Sequence, residues 1–283
     1  MVVEIVNNSV RSSRPVSRKR QSAMTHVAIL GLGEAGRLYA EGLAAMGVTV
    51  VGHDPYQLHQ IDGVVRADSP REALKSATVV FSFVGARAAH SVFDDALPHL
   101  RSDAVFADCN TASPGLKAEM ESAARAAGKS FLDVAIMAPV DRAGARTPLL
   151  GSGSGADAFT DFAAQFGIPF TVVPGAAGEA ARRKLLRSVF MKGLAAVILE
   201  STTAAEAAGH ADWMRGQILS EMTGASEAFL DRLVLGSRQH AERRAHETRD
   251  AAEFLHELGT PTWATDASTS WLDHLTSLTT TEE

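Results

Sequence analysis

The chain contains one cysteine, Cys109, among 283 residues. This excludes an intramolecular disulfide and any metal site built from several thiolates, and it suits a reducing, cytoplasmic setting. Basic charge is not in excess: 27 Lys and Arg stand against 33 Asp and Glu, for a formal net charge of −6. A chain of that sign has no general affinity for nucleic acid. No apolar run approaches the roughly 20 residues that a membrane-crossing helix needs. Aromatics are scarce at 6%, so the 46% hydrophobic content is mostly aliphatic, enough for one large core or two ordinary ones.

The first 23 residues hold Arg11, Arg14, Arg18, Lys19 and Arg20 against a single acid, Glu4, with scattered serines and no helical period. Residues 1–23 read as a disordered basic extension outside the fold, with Met24 just before the first strand signal. A secretory leader would need an apolar stretch of about 7–15 residues behind the charges, and none follows.

What is present begins with HVAILGLGEAGRLYAEGLAAMGVTVVGHDP, residues 26–55. The apolar run Val27-Ala-Ile-Leu30 predicts a strand buried on both faces. Leu38, Leu43 and Met46 recur near helical spacing, and Gly47 closes that helix. Val48-Thr-Val-Val51 predicts a second strand, with Asp54 about 20 residues beyond the glycine turn. A strand, a glycine turn, a helix, a strand and an acid in that order form a dinucleotide-binding unit. Gly31 permits the tight turn, Gly33 lets backbone approach a pyrophosphate, and Gly36 lets helix and strand pack closely. Gly31, Leu32, Gly33, Glu34, Ala35 and Gly36 are therefore the candidate phosphate loop, and the helix N-terminus adds amides and a positive dipole end. Asp54 would accept the ribose hydroxyls and repel a 2′-phosphate. No Arg or Lys occurs between Pro55 and Gly63 to offset it, so NAD is favoured over NADP.

The alternation continues with strand candidates at 64–65, 79–84, 104–107 and 131–135, and helical stretches at 70–76, 88–100 and 115–127. Gly151-Ser-Gly-Ser-Gly155 reads as a turn. From Gly175 the chain is rich in Ala, Leu, Glu and Arg. One long helix is expected from Glu179 to Ala208, ended by Gly209, with further helices at 214–237, 238–258 and 268–278. The fold class is α/β, with a Rossmann doubly wound parallel sheet over residues 24–174 followed by an all-α domain over residues 175–283. Ligands of such sheets lie at the carboxyl ends of the strands. That directs attention to Val84-Gly85-Ala86, to Asp108-Cys109-Asn110-Thr111, and to the segment after Ala135.

These segments resemble the β-hydroxyacid dehydrogenases, which include 3-hydroxyisobutyrate, tartronate semialdehyde and 6-phosphogluconate dehydrogenases. GLGEAG is similar to the family's G-L-G-x-M-G, with Ala35 in place of Met. DCNTASP (108–114) resembles D-x-S-T-x-x-P, which implies that Asn110 and Thr111 border the nicotinamide. FLDVAIMAPV (131–140) falls where the family has D-A-P-V-S-G-G, and PLLGSGS (148–154) resembles the segment that follows. GEAARRKLLRS (178–188) resembles G-x-x-x-K-x-x-x-N, which implies that Lys184 is the catalytic lysine. Two departures stand out. Ser188 replaces the family's Asn, and Met137-Ala138-Pro139 replaces the Ser-Gly-Gly whose backbone meets a substrate carboxylate; proline there has no N–H to give. The later segments look like a branch whose C-terminal helical domain is related to that of 6-phosphogluconate dehydrogenase.

The resemblance implies an NAD(P)-dependent dehydrogenase or reductase acting on the CH–OH carbon of a small hydroxy acid or related carbonyl. Lys184 would be general acid/base and Ser188, one helical turn on, would orient the reacting oxygen. Cationic neighbours Arg182, Arg183 and Arg187 favour a neutral Lys184. Met137, Ala138, Arg187 and Lys192 are candidate contacts to a small, anionic substrate, and no metal is expected. Two alternatives stay open: an imine reductase on the same plan, in which the lysine is replaced, and a non-catalytic NAD-binding regulatory protein. The apolar helix from Glu179 predicts a homodimer or dimer-based tetramer.

Overall fold

Strand β1 (His26–Leu30) runs into the glycine turn and α1 (Glu34–Ala45), and β2 (Thr49–His53) and β3 (Val64–Arg66) follow. The computed structural model describes residues 25–279, so the expected extension over 1–23 lies outside the described residues. The chain divides into two compact units between Lys184 and Leu185.

The first unit continues as α2 (Pro70–Leu74), β4 (Val79–Ser82), α3 (Ala89–Ala96), β5 (Val105–Asp108), α4 (Pro114–Ala126), β6 (Ser130–Ile136), β7 (Leu149–Ser152), α5 (Ala156–Phe166) and β8 (Phe170–Val172). Its helix starts are written in the sequence. Ser69 accepts the Glu72 amide ahead of Pro70, and Ser113 accepts the Leu116 amide ahead of Pro114; a serine cap followed by proline is a strong start signal. The strands form one sheet in the order β3-β2-β1-β4-β5-β6-β7-β8, parallel throughout except for the antiparallel pair β6 and β7. β1, β4 and β5 thus lie side by side at its centre, with the turns after them at one edge.

Alternate residues of β1 face opposite sides. Val27 and Ile29 join Leu43, Phe81 and Phe159, while Ala28 and Leu30 join Val80, Phe93 and Phe106. Both faces are covered, which explains continuous apolar strands in place of alternating ones. The sequence reading missed β7 because its glycine and serine look like a turn. Gly151 in fact pairs with Val134, and a Cβ there would run into the ring of Phe170 on β8. The turn proper begins only at Gly153.

The long helix α6 (Glu179–Ala207) starts within the first unit and supplies the opening of the second. There α7 (Ala211–Thr223), α8 (Glu227–Gln239), α9 (Ala241–Glu257) and α10 (Trp263–Thr279) follow. The single helix expected over 214–237 is therefore two. Ser226 is extended and its Oγ accepts the Phe229 amide, so α8 starts afresh after Gly224. The Glu200 carboxylate accepts the amides of Ala264 and Thr265 at 2.7 and 2.8 Å, tying α6 to the first turn of α10. Among the described residues of this unit, Leu272 is the only large apolar side chain that is buried.

Candidate functional site

Gly31, Gly33 and Gly36 are glycine for different reasons. Gly31 has φ +90°, and a Cβ on it would meet the Phe83 backbone; one on Gly36 would meet the Gly31 carbonyl oxygen. Packing therefore dictates both. Gly33 has an ordinary φ of −62°, and nothing lies within 4 Å of where its Cβ would be. Its missing side chain leaves backbone open at the start of α1, with no side-chain cap on the first turn. That is the arrangement a pyrophosphate requires, and the loop fits one.

Asp54 follows β2 and is buried. Its Oδ2 accepts the Leu32 amide at 2.7 Å, and its Oδ1 accepts those of Tyr56 and Gln57 at 2.8 and 3.0 Å. Burial would raise its pKa, but these amides, helped by the Arg66 charge, hold the carboxyl below its ordinary value. Arg66, at the end of β3, donates to the carbonyls of Asp54 and Gln57. Sequence reasoning missed it by looking for a cation only as far as Gly63. The usable signal was spatial, since β3 neighbours β2 in the sheet. Gly31, Gly33, His53, Asp54, Tyr56 and Val84 line a cavity of about 400 Å³ beside the loop.

The turns after β4 and β5 are joined. The Gly85 amide donates to Asn110 Oδ1 at 2.7 Å, and Asn110 Nδ2 donates to Ser82 Oγ at 2.9 Å and to Asp108 Oδ1. The structure thus brings Gly85 and Asn110 together. It buries the Asn110 side chain in linking the strands, leaves Thr111 exposed and leaves Val84 half-buried. Cys109 lies in the core beneath. Burial, then Asp108, push its thiol pKa up, while the charges of Lys117 and Lys184 pull it down.

Met137 and Ala138, after β6, are half-buried. The Met137 amide donates to the Pro148 carbonyl at 2.9 Å, and Pro139 has no N–H. A carboxylate could draw on at most the Ala138 amide of these three.

The first turn of α6 is anchored by side chains of the sheet and of α4. Asp133 Oδ2 accepts the Gly178 and Ala181 amides at 3.0 and 2.9 Å. Ser152 Oγ accepts that of Ala180 at 3.0 Å, and Glu121 Oε2 that of Ala177 at 2.8 Å. Carboxylates at a helix N-terminus also complement its dipole. Lys184, half-buried, comes one turn after Ala181. Arg182 and Arg183 both pair with Glu179, at 3.2 Å, which offsets the positive charge expected around the lysine. Farther along α6, Ser188 is half-buried, and Arg187 and Lys192 are exposed. The sequence reading pointed to the turn that begins at Asp108 but not to the buried pairing of Lys117 with Asp108 and Asp133, nor to Glu121, because nothing local marks a buried ion pair.

A parallel-dominated sheet with an open glycine at the first helix start is an NAD(P)-binding fold of the dehydrogenase and reductase class. Residues 26–167 match the family described as the NAD binding domain of 6-phosphogluconate dehydrogenase, and the chain belongs to that family. Residues 205–275 match a domain of unknown function (DUF1932). An uncharacterised 28.5 kDa protein of Methanothermus fervidus is 30% identical over 154 residues, 53% of this chain and 58% of that protein. The chain thus covers little more than half the length of that curated relative. An imine reductase from Myxococcus stipitatus in complex with NADP⁺ has a TM-score of 0.77 at 20% identity, over 89% of this chain and 94% of its own. Its V8 variant is in complex with NAD⁺. A conserved protein of unknown function, itself described as similar in structure to 3-hydroxyacid dehydrogenases, has a TM-score of 0.57 at 27% identity, over 88% of this chain and 96% of its own. No helix among the described residues is long and apolar enough to cross a membrane.

Proposed function

We propose that this protein transfers hydride between NAD(H) and a small hydroxy acid or related carbonyl, with Lys184 moving the accompanying proton. The observation that carries this reading is the anchoring of the α6 first turn to Asp133 of β6, in the same unit as the glycine loop, with the Lys184 charge felt at Cys109 beside Asn110. When bound, the nicotinamide supplies the hydride donor or acceptor. The chain's own residues do the rest. The amides of Gly33, Glu34 and Ala35 would hold the pyrophosphate, the Leu32 amide braces Asp54, and Asp54 would receive the ribose. Val84, Gly85, Asn110 and Thr111 would hold the nicotinamide. In oxidation Lys184 takes the hydroxyl proton as hydride leaves carbon; in reduction it returns that proton to the oxygen. Ser188 orients this oxygen, and Arg187 attracts an anionic substrate in place of the missing backbone cradle. A panel of small hydroxy acids with NAD⁺, followed by NADH absorbance, tests the reading. Turnover that Lys184→Met abolishes supports it; turnover unaffected by that change refutes it.

A second reading, imine reduction, draws on the Met137–Pro139 segment, which suits a neutral substrate better than a carboxylate, and on the structural likeness to an imine reductase. Amine-dependent NADPH oxidation with no alcohol oxidation would favour it.

The working unit proposed is a homodimer or a dimer-based tetramer. Leu186, Val189, Phe190 and Leu199 of α6 are each at least 65% exposed in the single chain, while its helical unit buries almost nothing large. A second copy would cover that apolar surface. Light scattering at micromolar concentration should report at least a dimer.

A further inference from the structure

Gly85, Asn110, Asp108 and Lys117 are joined by hydrogen bonds, and Lys117 reaches Asp133 and the start of α6 through an ion pair to Asp133 Oδ1, an oxygen that takes no hydrogen bond. Beyond the Gly85–Asn110–Asp108 bonds, Lys117 Nζ meets Asp108 Oδ2 at 2.8 Å and the Asp108 carbonyl at 2.9 Å. The same ammonium lies 3.2 Å from Asp133 Oδ1, while Asp133 Oδ2 holds the Gly178 and Ala181 amides. Asp108, Lys117 and Asp133 are at most 1% exposed. A fully buried lysine is rare, and well-packed apolar residues are often at least as stabilising as a buried ion pair. Stability alone therefore does not explain it. Its placement does: one carboxylate belongs to the turn after β5, the other holds a helix start, and Lys117 spans the two.

We propose that Lys117 is a positioning residue that couples the Gly85–Asn110 turn to the first turn of α6, and so sets Lys184 when a dinucleotide occupies the turn. The proposal rests on the proton-transfer reading of Lys184. Without Lys117, Asp108 and Asp133 would repel, and the α6 start would keep only its Ser152 and Glu121 anchors and a Asp133 carboxylate no longer fixed to the turn.

Hydrogen–deuterium exchange at the amides of residues 177–181, with and without NADH, reads the coupling without turnover. In the wild type, NADH should slow exchange at Gly178 and Ala181 by roughly fivefold or more, the lower end of ordinary site-to-site coupling. In Lys117→Met, NADH should still bind by fluorescence titration but leave those two amides unchanged. Asp133→Asn, which keeps an acceptor for the helix but drops the attraction to Lys117, should show the same loss and serves if Lys117→Met does not fold. No NADH effect at Gly178 and Ala181 in the wild type, or a full effect in either variant, would overturn the proposal. Lys184→Met separates the two readings: it should keep the protection, and unchanged kcat there with protection intact would sink the proton-transfer role alone.

Discussion

The Leu32 amide donates to Asp54 Oδ2 at 2.7 Å, so the acid at the end of β2 braces the glycine loop. The same carboxylate caps the Tyr56 and Gln57 amides, and Arg66 grips the carbonyls around it. An oxygen already engaged in this way is fixed in place, and under the proposed function it would meet a ribose. NADH should bind more tightly than NADPH, and Asp54→Ala should narrow the difference. Arg66 acts in the opposite sense, because its guanidinium can partly offset a 2′-phosphate. Arg66→Ala should weaken NADPH by about threefold to tenfold, the scale of a part-exposed charge contact, and NADH much less. Fluorescence titration of both cofactors against the three proteins decides; equal wild-type affinities would contradict the preference.

The glycines of the loop should separate by substitution. Gly33→Ala meets open space at an ordinary φ, so its stability should stay within about 1 kcal/mol of the wild type. Its NADH affinity should fall by about tenfold or more, equivalent to roughly 1.4 kcal/mol. Gly36→Ala drives a methyl into the Gly31 carbonyl and should cost about 1–3 kcal/mol before any ligand is added. Thermal melts with and without NADH would show the reversed pattern if Gly33 had only a packing role.

Glu121 gives a pH dependence with a definite sign. Burial would raise its pKa, but the Ala177 amide first, then Arg125 and the Ser154 amide, hold it below the ordinary value. A carboxyl lowered on folding stabilises the fold above its unfolded pKa, about 4.3, and that contribution disappears as pH falls through the folded value. Urea unfolding should therefore show the wild type losing stability below about pH 4.3, with a shallower loss in Glu121→Gln. At neutral pH Glu121→Gln should be less stable by about 1–3 kcal/mol, the scale of charge-assisted hydrogen bonds. A steeper acid loss in the variant would reverse the assignment.

Much of the first unit was legible because its signals are local. Continuous apolar runs gave β1 to β6, the helical stretches at 70–76 and 115–127 gave α2 and α4, and the glycine spacing gave the turn ahead of α1. β7 and β8 were hidden because Gly151 carries a turn's residue type for a reason that only the Phe170 ring supplies. The break between α7 and α8 rests on a single serine cap, which a helical period overrides by eye. Within the site, Gly33 and Asp54 could be read from spacing, whereas Arg66 and Lys117 could not. Arg66 reaches Asp54 through strand pairing, and Lys117 finds its carboxylates at the ends of β5 and within β6. Partners brought together by sheet order leave no trace in a linear pattern.

Lys184 carries the sharpest test. It sits one turn beyond amides held by Asp133, and its charge reaches Cys109, next to the Asn110 that fixes the Gly85 turn. A positioned proton-transfer group contributes roughly 10²–10⁴-fold to rate. Lys184→Met, similar in length but without an exchangeable proton, should lower kcat by that order while NADH affinity stays close to the wild type. Lys192→Met, on an exposed stretch two turns farther along α6, should cost far less. Ser188→Ala should fall between them, because a hydroxyl that only orients the reacting oxygen transfers no charge. The pH profile adds an independent measure: if one lysine governs turnover, the limb assigned to it should vanish in Lys184→Met and persist in Lys192→Met. Loss of activity in Lys192→Met with Lys184→Met near normal would move the catalytic register along the helix by two turns. Activity indifferent to both would remove lysine chemistry from the reaction and leave imine reduction as the better account.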